Sequence, residues 1–171
     1  MLCHCRPITH STVLCLTILA TIPISGCNIA GRRSSYFSHL NAAYHNTDYL
    51  VYEFQDSLSI GKRTHQLDML LSNYSSSTAI FITAWNPYSR KLTRDENDRR
   101  NEQLIARVKA IGDFPVFLGE GKARNGDWPP ELSYLILGVH TEMANQLADE
   151  FGQNAYLTYN LGGPAKIVWR Q

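Results

Sequence analysis

Two asparagines on the core-facing side of a predicted helix are the strongest candidates for a ligand-binding site. The helix predicted for residues 94–111 carries apolar side chains at Leu104 and Val108, and the same steps toward its N-terminus lead to Asn101 and Asn97. A buried asparagine without a partner costs about 1 to 3 kcal/mol. Both amides must therefore bind a ligand, water, each other or the main chain of a neighbouring loop, and in the last case their role is only structural.

The end of a buried strand supplies a second set of polar and aromatic side chains. Residues 79–84 are apolar and β-branched enough for a strand covered on both faces, and Pro87 ends it. Trp85, Asn86 and Ser89 should then lie at the carboxyl end of this strand. In open α/β sheets, ligands bind at that end.

Two later segments offer further candidates. Trp128 lies in a polar loop, where it could stack on a planar ligand or only cover the core. Glu131 could accept hydrogen bonds or act as an acid or base, or it could cap a helix or pair with an arginine. Gln153 and Asn154 stand at a helix-to-strand junction, where they either satisfy helix carbonyls or line the same pocket. The predicted ligand-binding set is Trp85, Asn86, Ser89, Asn97, Asn101, Trp128, Glu131, Gln153 and Asn154.

The start of the asparagine-bearing helix suits an anionic group. Free amides and the helix dipole place partial positive charge there, so the expected ligand is small, polar and compatible with a negative charge. Thr93 and Glu96 fit a capping box at this terminus. Glu96 and Arg100 also have the i, i+4 spacing of an ion pair, which indicates a solvated face.

Other kinds of site lack their usual patterns. His39, His45, His65 and His140 are scattered without paired spacing, so we expect no metal site. No Walker A, GxGxxG or GxSxG motif occurs, and we expect no cofactor. Catalysis would fall to Glu131, and whether the chain is an enzyme stays open.

Length and charge limit the number of domains and the classes of partner that the chain could bind. The chain has 171 residues, 44% of them hydrophobic and 18% charged, which suits one domain with a sizeable core. Without residues 1–27, which hold Arg6 and no acid, 15 basic residues balance 15 acidic ones. No nucleic-acid partner is expected, because phosphate binding needs an excess of Lys and Arg.

Residues 1–27 differ in composition from the rest of the chain. They hold all four cysteines, and a short apolar run at residues 13–24 precedes Cys27. This pattern resembles a bacterial lipoprotein signal, which would place the chain at the bacterial cell membrane through a lipid on Cys27. The chain would then be a tethered module that binds another protein. In that case the polar residues of the predicted site would only stabilise the fold. The alternative is a start codon set too far upstream and a cytoplasmic protein.

The periodicities predict one α/β domain over residues 36–171, after a linker at residues 28–35. The element order is α-β-α-β-α-β-β-α-β-β. We expect a mixed β-sheet flanked by helices, with α+β as the alternative class.

The spaced motifs also resemble a known family. An ITAWNP-S block at residues 82–89, the asparagine-bearing helix, a W-x-x-E segment at residues 128–131 and a GQNA block at residues 152–155 look like the bacterial domain-of-unknown-function family 3293. The resemblance covers about residues 44–159. The resemblance implies no activity. Residues 1–27, the possible leader, are not part of the family's pattern.

Overall fold

Residues 29–170, which a computed structural model describes, form four α-helices and six β-strands in the predicted order. The α/β fold class is confirmed. The helices are α1 (Ile29–His45), α2 (His65–Asn73), α3 (Arg94–Ile111) and α4 (Thr141–Glu150). The strands are β1 (Thr47–Val51), β2 (Thr78–Ile82), β3 (Val116–Ala123), β4 (Glu131–Leu137), β5 (Ala155–Asn160) and β6 (Lys166–Trp169).

The six strands form one sheet in the order β1-β3-β4-β2-β5-β6, and every neighbouring pair is antiparallel. The expectation of a mixed sheet was therefore wrong, although a single domain with helices flanking one sheet is as predicted. The physical reason is that β3 with β4 and β5 with β6 are consecutive antiparallel pairs. Strand β2 enters between the two pairs, antiparallel to both of its neighbours.

Strand β2 is central, as its continuous apolar sequence predicts. Ala79 and Phe81 belong to a core shared with α2, and Tyr44 of α1 packs against the same core. Ile80 and Ile82 face the opposite way, into a core with α3 and α4. The sheet is thus covered on both faces, and α1 lies on the α2 side.

Helix α1 begins at Ile29, and it includes residues 29–35, for which the sequence predicted a linker. That segment has one glycine and no proline, so little in its sequence stops a helix. At its other end, Tyr44 contacts the ring of Trp169 edge-on at 5.0 Å between centroids, which ties α1 to β6. The proposed leader and Cys27 lie outside the described residues, so lipidation stays a prediction. None of the helices in residues 29–170 has the length and apolar character needed to cross a membrane.

Strand β3 is longer than its apolar residues predict. The sequence indicated a polar loop from Gly119 onward, but β3 continues to Ala123 because β1 pairs with it, with Leu50 opposite Glu120. Gly119 permits this pairing: a Cβ atom there would stand 2.2 Å from the carbonyl oxygen of Leu50. The pairing places β1 and α1 beside the site described next.

Candidate functional site

The antiparallel sheet brings the predicted site segments to one edge. Ile82 at the end of β2 pairs with Tyr134 of β4, and Phe81 pairs with Leu157 of β5. The end of β2 therefore lies beside the beginnings of β4 and β5. This places the loop after β2 next to Glu131, the first residue of β4, and next to the residues that precede β5.

A cavity of about 450 Å³ opens at this edge, between α1 and the sheet. Its lining comes from α1, from five of the strands and from the loops that join them. Aromatic side chains contribute much of it. The lining includes Tyr44, Tyr49, Phe81, Asn86, Trp128 and Glu131.

Six of the nine predicted residues line this cavity, namely Asn86, Ser89, Trp128, Glu131, Gln153 and Asn154. The other three, Trp85, Asn97 and Asn101, are not part of the lining. Asn97 and Asn101 are buried at 2% and 1% exposure, as the helical spacing predicts. They do not face the cavity, and their role is different.

Asn97 and Asn101 hold the main chain after β2 in place. Asn101 Oδ1 accepts a hydrogen bond from the Ala84 N–H (2.8 Å), and its Nδ2 donates to the Leu132 carbonyl (2.7 Å). Asn97 Oδ1 accepts from the Asn86 N–H at 2.8 Å. Both amides thus have protein partners, so the structural alternative describes these two residues.

Asn86 connects this support to the cavity. Its Oδ1 accepts from Asn97 Nδ2 (3.0 Å) and from the Leu92 N–H (2.9 Å), while its Nδ2 donates to Glu131 Oε1 at 2.6 Å. The residue has φ 45° and ψ 60°, a left-handed conformation that asparagine tolerates better than most residues. Asn86 therefore links α3 to the carboxylate of Glu131 through hydrogen bonds and fixes the position of that carboxylate.

The turn after Asn86 is strained. Tyr88 (φ 53°) and Ser89 (φ 57°) are also left-handed, and each such residue costs about 1 to 2 kcal/mol. The Tyr88 N–H donates to the Gly152 carbonyl at 2.8 Å, which fixes the turn against the end of α4. Gly152 itself has φ 65°, and a Cβ atom there would lie 2.9 Å from the Tyr88 ring. Strain of this kind persists where the surrounding contacts hold it, and it is frequent at functional sites.

Glu131 is the main ionisable group of the cavity. Its Oε1 accepts hydrogen bonds from Asn86 Nδ2 (2.6 Å) and Trp128 Nε1 (2.9 Å). Its Oε2 receives none from any described residue. Burial raises the pKa of the Glu131 carboxyl above its usual value, and the two hydrogen bonds offset part of this rise. The carboxyl is oriented, and it retains one oxygen for a hydrogen-bond donor.

The wall formed by α1 and β1 was not predicted as part of a site. Tyr36, His39 and Tyr44 of α1 line the cavity, as does Tyr49 of β1. The available signal is the helical spacing of the apolar residues in α1, which marks one face of the helix without showing whether that face covers a core or a cavity. Tyr49 links the two elements, because its hydroxyl donates to the Tyr44 carbonyl at 2.9 Å.

Arg100 is a second residue whose role differs from the prediction. Its expected partner, Glu96, instead accepts from the Thr93 N–H within the predicted capping box. The Arg100 guanidinium donates to the carbonyls of Ala84 (2.7 Å) and Phe151 (2.6 Å). It therefore joins the end of β2 to the end of α4.

Two other features of the described residues complete the site. Trp85 Nε1 is buried and has no partner among them, although the Trp85 carbonyl accepts from Gln153 Nε2 at 2.9 Å. Within residues 29–170, no group of three or more His, Cys, Asp or Glu side chains could hold a metal ion. The site therefore offers one carboxyl, several amides and a set of aromatic rings.

Glu131 should make the stability of the protein depend on pH. Because its folded pKa is raised above the usual 4.5, the folded state binds its proton more tightly than the unfolded state does. Its contribution to stability is complete below the unfolded pKa and is lost as pH rises through the folded pKa. We expect Glu131→Gln to gain stability relative to wild type as pH rises above about 4.5.

Urea unfolding of both proteins from pH 4 to pH 8 measures this difference. The other titrating groups are common to both proteins and largely cancel. Glu102→Gln, which removes an exposed carboxylate on α3, controls for the loss of one negative charge. A stability difference between wild type and Glu131→Gln that does not change with pH would contradict the assignment.

Residues 82–156 match the model of a family described as "Protein of unknown function (DUF3293)". This confirms the family resemblance inferred from the motifs. The matching segment contains all nine predicted site residues, whereas α1 and β1 lie before it. No match was found among curated proteins or among solved structures.

Proposed function

Because the matching family carries no assigned function, we propose one from the geometry: the chain binds a small organic molecule in the cavity between α1 and the sheet. The cavity volume, about 450 Å³, is within the range of roughly 300 to 1,000 Å³ that is typical of small-molecule sites. An aromatic lining with a few convergent polar groups is also typical of such sites.

The observation that carries the proposal is the state of Glu131. Its Oε1 is held by Asn86 and Trp128, whereas its Oε2 has no donor from the described residues. Glu131 is half-buried, and a carboxyl partly withdrawn from water without a full set of hydrogen bonds costs free energy. The strained turn at residues 86–89 adds to this cost. A ligand that donates a hydrogen bond to Oε2 would recover part of the free energy that the carboxyl costs.

The lining supports a ligand with hydrogen-bond donors rather than an anionic one. No Lys or Arg side chain of the described residues lines the cavity. The N-terminus of α3, which suggested an anion, is already capped, because the Glu96 N–H donates to Thr93 Oγ1 and the Glu96 carboxylate accepts from the Thr93 N–H. Negative charge on a ligand would instead meet the carboxylate of Glu131.

Binding is preferred to catalysis because the cavity offers little beyond one carboxyl. Among the described lining residues, Glu131 is the sole carboxylate, and no serine, threonine or tyrosine hydroxyl donates to it. A nucleophile activated by Glu131 would require such a contact.

Ligand-observed NMR on the full chain, with small aromatic alcohols, amines and carboxylates as probes, tests the proposal. We expect wild type to bind members of this set and Ala43→Trp to weaken that binding about tenfold or more, because Ala43 lines the cavity and a tryptophan there would fill it. Ala42→Trp is the matched control, since Ala42 is exposed on the same helix and is not part of the lining. Equal binding to all three proteins would show that the probes bind outside the cavity, and it would contradict the proposal.

A further inference from the structure

We propose that the ligand carries a protonated amine and that the carboxylate of Glu131 is its counter-ion. This inference rests on the proposed function and names the chemical class that the same cavity would select. Charge, aromatic lining and the available hydrogen-bonding groups support it separately.

The charges around the cavity favour a cation. Among the described lining residues, Glu131 is the only acid, and His39, on the exposed face of α1, is the only side chain that could carry positive charge. Two basic side chains outside the lining have partners of their own. Lys91 Nζ lies 4.9 Å from the centroid of the Trp128 ring, and the Arg124 guanidinium pairs with Asp48 at 2.7 Å. A half-buried carboxylate without an internal counter-ion gains from a cation that enters the cavity.

The aromatic lining favours the same sign of charge. The aromatic residues Tyr44, Tyr49 and Phe81 line the cavity that contains Glu131, as does Trp128, one face of which already meets Lys91. The faces of aromatic rings carry partial negative charge and attract ammonium groups, an effect that is larger where water is excluded. Anions gain nothing from these faces. The rings therefore add to the selectivity that the carboxylate provides.

Hydrogen-bond donors on the lining are largely used within the protein. The Thr83 hydroxyl donates to the Leu132 carbonyl (2.6 Å), and the Ser133 hydroxyl donates to the Glu131 carbonyl (2.9 Å). The amide of Gln153 donates to the carbonyls of Trp85 and Phe151, so its free atom is the oxygen. Acceptors therefore remain for a ligand. An ammonium group has three donors and no acceptor, which complements them.

The test compares three probes with the same aromatic ring: 2-phenylethylamine, 2-phenylethanol and phenylacetate. Isothermal titration calorimetry on the full chain at neutral pH should show the amine binding about tenfold or more tightly than the alcohol, with no binding of the carboxylate. Glu131→Gln should remove the preference for the amine by lowering amine affinity about tenfold or more. Glu102→Gln should change neither affinity.

The outcomes separate this inference from the proposed function. Equal binding of amine and alcohol to wild type, unchanged in Glu131→Gln, would overturn the amine assignment and leave the binding site standing. Preference for phenylacetate would also overturn the amine assignment. Failure of all three probes to bind would overturn both.

A second measurement on wild type does not depend on the folding of a variant. Amine affinity should rise with pH as Glu131 loses its proton, and amine binding should release protons, visible as a dependence of the heat on the buffer. The other titratable groups on the described lining are Tyr36, His39 and Tyr44 of α1, Tyr49 of β1 and Tyr156 of β5. Because the imidazole of His39 also lines the cavity, the series is repeated in His39→Gln, where the trend should persist. Amine affinity that stays constant with pH would refute the counter-ion role.

Discussion

Asn101→Leu is expected to lower the free energy of unfolding by about 2 to 4 kcal/mol. Leucine has a similar size but no hydrogen-bonding group. The Ala84 N–H, which donates to Asn101 Oδ1 at 2.8 Å, would become a buried donor without a partner. The Leu132 carbonyl would lose the bond from Asn101 Nδ2 and keep the one from Thr83. The penalty is large because the site is 1% exposed and water cannot replace the amide.

Urea unfolding monitored by circular dichroism measures this loss. Gln103→Leu is the matched control, because it makes a comparable change on the exposed face of α3 and should stay within about 0.5 kcal/mol of wild type. Loss of stability in Asn101→Leu no larger than in this control would show that the amide does not support the main chain after β2.

Gly119→Ala is expected to lower stability by about 1 to 3 kcal/mol and to loosen the cavity wall. The added Cβ would meet the Leu50 carbonyl oxygen at 2.2 Å and Phe81 Cε2 at 3.0 Å. The oxygen belongs to the main chain of β1, so relief requires the strand itself to move. Since β1 is an edge strand whose ladder partner is β3, that movement weakens the attachment of β1 and the adjoining α1.

Hydrogen exchange separates the two parts of this prediction. Amides of β1 should exchange faster in Gly119→Ala than in wild type, while those of β2 should change little. Gly121→Ala is the control on the same strand, because its Cβ would make only an ordinary contact with Thr47 Cγ2 at 3.7 Å. Similar exchange in the two variants would argue against a specific clash at Gly119.

The site segments could be found from the sequence, but the expected reason for their meeting was wrong. Asn86 was predicted to lie at a strand end of an open α/β sheet. In a parallel sheet the segment before a strand lies at the opposite edge from the segment after one, and Gln153 would then be far from Asn86. The antiparallel pairing of β2 with β5 brings them together. Strand direction depends on long-range pairing, which hydrophobic periodicity does not report.

The helical stripe predicted burial well and function less well. Asn97 and Asn101 are buried as their spacing requires, but the spacing does not say whether main chain or ligand occupies the amide. Tyr44 and Tyr49 show the converse limit. Both have the pattern of core residues, and both pack in or against the core, yet they also line the cavity. The sequence pattern does not distinguish a side chain that only packs in the core from one that also lines a cavity.

The strand order has a consequence for how the protein is made. During translation β1 emerges early, but its ladder partner β3 begins only at Val116, and Trp169, which contacts α1, emerges later still. The first helix and strand therefore cannot reach their final positions until most of the chain has left the ribosome. The cavity beside Glu131, which α1 and β5 both line, therefore cannot close until the last strands have emerged.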